Sequence, residues 1–170
     1  MSAATVLRAL AFVLILGSSL AAASPRAAAQ SPVLAVAAEG GGFVGDAQGA
    51  MGGLGARGGL AFDAFSIALQ VQGFVGALTE GPRGGTATGV LWNSLMLGLT
   101  FGFFQIGAGP SLDFGWGCDQ AGCYRGTPLF GLDGRIGLGF DHFVVSLDVH
   151  PTWIDGEAVV GLVGGLGWQL

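Results

Sequence analysis

Few residues of this chain have side chains capable of chemistry, and their spacing says more about a face than about a reaction. Ser146, Asp148 and His150 stand two apart and are the residue types of a nucleophile, an orienting acid and a base. On a strand, that spacing puts them on one face but about 6.6 Å apart. Such a gap is too wide for the direct hydrogen bonds of a catalytic relay. Asp133 and Arg135 repeat the same alternation. His142 and His150 are separated by most of a strand and make no metal cluster. No catalytic residue, metal or cofactor is expected on these grounds. Cys118 and Cys123 are the only cysteines. In an exported chain, Cys-x4-Cys suggests a local disulfide, with free thiols as the alternative. Without further Cys or a nearby His it is a poor zinc site.

The elements that position these residues are hairpins. Gly137 to Val149 reads as two alternating strands joined by a two-residue turn, Asp141-His142. One face carries Ile136, Leu138, Phe140, Phe143, Val145, Leu147 and Val149. The other carries Arg135, Ser146, Asp148 and His150 between glycines. Pairing Phe140 with Phe143 puts Arg135 opposite Asp148. A second copy begins at Gly59 with its turn at Asp63-Ala64, and a looser one at Gly98. The starting glycines 59, 98 and 137 are spaced by 39 residues each time. A fixed period of this kind outranks local detail. It predicts a meander of antiparallel strands with tight and long connections alternating.

Eight strands are expected: Val33–Val44, Ala50–Phe62, Phe65–Leu78, Val90–Phe101, Phe104–Phe114, Leu129–Phe140, a strand from Phe143 ending at His150, and Ala158–Leu170. Gly115–Pro128, with Trp116, both cysteines, Tyr124 and Arg125, reads as the longest loop. Pro151–Glu157 reads as another. Pairing Phe62 with Phe65 puts Arg57 opposite Gln70, and Glu39 is expected near Arg57.

Composition decides which solvent each face meets. Charged residues are 10% of the chain, hydrophobic residues 51%, and Gly is 34 of 170. The polar faces hold mostly Gly, Ala, Ser, Thr and Gln, too little charge for a water-facing surface. Small residues do fit the inside of a narrow closed barrel. The apolar strands are long enough to cross a hydrocarbon core when tilted. Phe62, Phe65, Phe101, Phe104, Phe140 and Phe143 flank the three tight turns and predict an aromatic girdle at one interface. The lumen should then hold an Arg135–Asp148 ion pair with Asp133, Arg57 and Glu39 among its charges. Trp92, Trp116, Tyr124 and Trp153 would supply a second girdle. The loop aromatics could equally form an external contact surface.

Residues 1–29 read as a signal peptide running into a linker, with cleavage near 23 or 29 after small residues. An uncleaved membrane anchor is the alternative. The barrel domain is expected over 33–170. The net charge of −5 leaves no basic stripe for nucleic acid.

On this architecture the chain resembles the small eight-stranded outer-membrane barrels of Gram-negative bacteria, the OmpA-type and OmpX-type group. The end, Gly165-Leu-Gly-Trp168-Gln-Leu170, is similar to the terminal strand read by the outer-membrane assembly machinery. The resemblance implies an all-β, up-and-down transmembrane barrel, outer-membrane lipid as its surroundings, and a monomer. Some members of similar architecture are lipid-modifying enzymes, but the spacing of Ser146, Asp148 and His150 and a lumen just filled by side chains favour a structural or surface-interaction role over an enzyme or a porin. Three readings compete with it: a lipid-modifying barrel enzyme, a soluble secreted barrel for an apolar ligand, and a bundle of membrane helices around Gly98-x-x-x-Gly102.

Overall fold

The computed structural model describes residues 30–45, 48–80, 86–119, 122–154 and 157–170. The signal-peptide and cleavage expectations lie outside them. Nine strands occur: β1 Gln30–Gly45, β2 Gln48–Phe62, β3 Phe65–Glu80, β4 Thr86–Phe101, β5 Phe104–Asp119, β6 Gly122–Arg125, β7 Leu129–Phe140, β8 Phe143–Ile154 and β9 Glu157–Gln169. No helix occurs among the described residues, which removes the helix-bundle alternative.

Eight strands close into one antiparallel barrel, and the short β6 pairs only with β5. Closure is made by β1 on β9, in register from Ala35–Gln169 to Gly45–Val159. The tight turns set the hairpin registers, with Phe62 opposite Phe65, Phe101 opposite Phe104 and Phe140 opposite Phe143. The first residue of each turn has positive φ: Asp63 at 54°, Gly102 at 61° and Asp141 at 51°. Aspartate and glycine are among the residues that tolerate this region. These three residues are also 39 apart, so the sequence period is the hairpin period. The second carbonyl of each turn accepts an N–H from the neighbouring strand: Ala64 from Thr100, Phe103 from Gly139, His142 from Gln169.

Two stretches expected as loops are instead strand. β5 runs on to Asp119 and pairs with β6, so Trp116 faces Arg125 and Cys118 faces Cys123. The disulfide Cys118–Cys123 staples this extended hairpin, with a Cα–Cα distance of 4.0 Å. β8 does not end at His150 but continues through Pro151 to Ile154. Pairing with β9 outweighs the turn-forming residues there, and it runs on through Pro151–Val160 to Ile154–Glu157. Pro151 and Pro110 lack an N–H, and the ladders skip beside them. β4–β5 passes from Ser94–Ser111 to Leu97–Ala108, and β7–β8 from Gly131–Thr152 to Gly134–Val149.

The two faces separate cleanly. Leu54, Leu97, Leu99, Leu132, Leu147 and Leu166 are exposed on the outer wall, while Gln70, Gln72, Asp133, Arg135 and Asp148 are buried within. A soluble barrel would show the reverse order. Exposed apolar side chains around a buried polar lumen are the arrangement of a transmembrane barrel.

Candidate functional site

Charged side chains converge in the lumen, and the convergence begins with one hairpin. Arg135 of β7 and Asp148 of β8 are register partners. Arg135 Nη1 lies 3.1 Å from Asp148 Oδ1 and donates to both carboxylate oxygens. Both residues are buried. A buried pair holds only where its remaining hydrogen-bonding capacity is met. Gln70 of β3 supplies part of it from across the lumen. Its Oε1 accepts from Arg135 Nη1 at 3.2 Å, and its Nε2 contacts Asp148 Oδ1 at 3.1 Å. The same Nε2 lies 3.0 Å from Asp133 Oδ2 and 3.0 Å from Gln72 Oε1. Gln72 donates in turn to Glu39 Oε2 at 3.0 Å. Ser94 of β4 donates to Asp133 Oδ2 at 2.7 Å. One network thus ties β1, β3, β4, β7 and β8 together through the hollow of the barrel.

A second cluster sits nearer the loop end. His150 Nε2 is 3.0 Å from Asp113 Oδ2 and 3.2 Å from Ser111 Oγ. Thr152 donates to the same Asp113 oxygen at 2.7 Å. His150 Nδ1 lies 3.8 Å from Asp133 Oδ1, a contact across to the first network. An N–H held by the Asp113 carboxylate cannot also accept a proton from Ser111, so Nε2 is not free to serve as a base for that hydroxyl. Ser146, two residues from Asp148, has no hydrogen-bond partner for its hydroxyl.

Above this cluster the lumen is stoppered by apolar groups. Trp92 stacks on His150, ring centroids 3.9 Å apart, and tilts against Phe74 at 4.7 Å. Met51 and Val163 complete the buried cluster, with Phe43 and Val90 packed on it. Glycines on the facing strands make this filling possible. A Cβ at Gly161 would stand 2.5 Å from Trp92 Cη2, and one at Gly55 would collide with the Glu39 carboxylate. Glycine in these strands is what lets large side chains occupy so narrow a tube.

Neither protein-family models nor curated proteins give a match to the chain. Solved structures do. Neisserial surface protein A aligns with a TM-score of 0.57 at 12% identity, covering 83% of this chain and 99% of that one. Ail, the attachment invasion locus protein of Yersinia pestis, in complex with the heparin analogue sucrose octasulfate, aligns with a TM-score of 0.51 at 13% identity. It covers 83% of this chain and 97% of that one. The fold is that of the small eight-stranded outer-membrane β-barrels.

The barrel places its aromatic residues differently from the sequence expectation at one end. Phe65, Phe101, Phe140 and Phe143 are exposed beside the tight turns, while Phe62 and Phe104 are partly covered. Phe103 joins this ring by stacking on Phe140, and Trp168 by meeting Phe143 edge to face. At the loop end Trp116 and Trp153 face outward, but Trp92 does not. It is the lumen stopper, and its shared parity with Ser94 and Met96 is the signal for that in the sequence. The Glu39 carboxylate, expected near Arg57, lies where a Cβ at Gly55 would stand, two residues before Arg57 on β2. Arg57 lies opposite Ala35, and Glu39 opposite Gly53. No tight turn sets the β1–β2 register, so the sequence leaves it free. Asp133 bonds to Gln70 and Ser94 and lies 3.8 Å from the His150 ring, so its contacts are with these groups rather than with Arg135. Asp113, Gln72, Ser94 and Ser111 join the site without being singled out by the sequence, which places Gln70 only opposite Arg57, because their partners lie mostly on non-adjacent strands.

Proposed function

We propose that the chain is an integral protein of the Gram-negative outer membrane with a structural or surface-interaction role. It is exported by a signal peptide, inserted through its β9 strand by the assembly machinery, and surrounded by lipid as a monomer. The observation that carries this reading is the inverted burial pattern: leucines exposed around the wall, a buried ion-paired network inside. The stoppered lumen argues against a general porin. The His150 hydrogen bonding argues against acyl transfer or hydrolysis, since no serine among the described residues stands ready to lose a proton to a free imidazole nitrogen. The stapled β5–β6 hairpin at the loop end is the natural contact surface for a partner outside the cell.

Envelope fractionation with gel mobility before and after boiling tests the proposal. The protein should partition with the outer membrane, and its unboiled form should migrate differently from the boiled one. Recovery in the aqueous fraction without detergent would overturn it.

A further inference from the structure

At the tight-turn end the lumen opens into a cavity of about 190 Å³ with a mixed lining, whose polar side is Arg57, Arg135, Ser66, Thr100, Gln105 and Gln169. Two guanidinium groups face this one space. Among the described residues Asp148 is the carboxylate in direct contact with either of them, and it is engaged by Arg135 Nη1. Arg57 has a single side-chain hydrogen bond among the described residues, a long one of 3.4 Å from Nη2 to Ser66 Oγ. The Nε–H groups of both arginines are buried and without a hydrogen-bond partner. Arg135 itself is 7% exposed.

Two guanidinium groups lining one cavity repel each other, and the carboxylate in direct contact with Arg135 is shared with Gln70, so a further negative group in the cavity would relieve that repulsion. Guanidinium forks suit oxyanions, which accept two parallel N–H bonds. Gly98 keeps the space open, since a Cβ there would stand 2.5 Å from Ser66 Oγ and 3.5 Å from Arg57 Nη2. We propose that this cavity is a binding site for a small oxyanion, a phosphate or a carboxylate, held between Arg57 and Arg135 with Ser66, Thr100 and Gln105 as neutral partners. The site lies on the tight-turn side, away from the stoppered loop end. Its ligand would therefore come from the compartment that the tight turns face, the periplasm in barrels of this kind.

The test uses the full barrel folded in detergent micelles, with nitrogen-15 in its arginines, at fixed pH and ionic strength. Inorganic phosphate and acetate are titrated separately against chloride. The Arg57 and Arg135 Nε–H resonances should shift saturably with at least one oxyanion, with a midpoint of roughly 1 mM. Arg57→Gln should weaken the response of Arg135 at least tenfold, and Arg57→Lys, which keeps the charge without the fork, should weaken it by an intermediate factor. The wild-type titration stands even where a variant fails to fold. No saturable shift with either oxyanion, or the same shift with chloride, would overturn the proposal. So would an Arg135 response unchanged in Arg57→Gln.

Discussion

Trp92 lies flat on His150, with ring centroids 3.9 Å apart and planes within 3° of parallel. The contact joins the apolar stopper to the polar network, so the two are one packed unit. Removing the indole leaves a large void beneath the loop end. Trp92→Ala should therefore lower stability by about 3–5 kcal/mol. Urea unfolding from lipid vesicles, followed by the remaining tryptophans, measures it. Trp92→Phe should lose less.

Gly161 and Trp92 should be energetically coupled, because a Cβ at 161 meets the indole edge. Gly161→Ala should destabilise the wild type yet be tolerated in Trp92→Ala. A coupling of about 0.5–3 kcal/mol is expected from a double-mutant cycle. Simple additivity would show that the glycine has another reason to be there.

The Arg135–Asp148 pair should behave as a buried pair does. Asp148→Leu alone strands the guanidinium and should cost about 3–5 kcal/mol, whereas Arg135→Met with Asp148→Leu should recover most of it. Unfolding midpoints of the wild type and the two variants decide between this and a pair that is merely decorative.

Outward-facing positions should respond to depth in the membrane. Leu147→Arg, in mid-strand, should cost about 2–4 kcal/mol, and Phe143→Arg, beside the turn, about 0–1 kcal/mol. Equal and small effects would contradict a lipid-facing wall.

Much of the fold is legible in the sequence because its rules are local. Strand parity separates the faces, and a two-residue turn fixes the register on either side of it. Arg135 and Asp148 share one hairpin, so their apposition needs only that turn. Gln70 and Asp133 are 63 residues apart and meet only because the sheet closes on itself. Nothing along the chain encodes the distance across the tube. Trp92 illustrates the other gap: its parity points inward, but its bulk suggests an interfacial girdle. Glycines such as Gly161 on facing strands make room for it, and they become informative only once neighbours are known. The far ends of β5 and β8 read as loops because turn-forming residues carry no mark of the partner strands that hold them extended.

The seam between β1 and β9 has a bearing on biogenesis. It stitches Ala35 to Gln169, neighbours in the ring but far apart along the chain, so cylinder formation waits until β9 is delivered. Until then every leucine of the outer wall is a naked, sticky surface in water. A chain of this design is therefore exposed to self-association in water for as long as that seam is unmade.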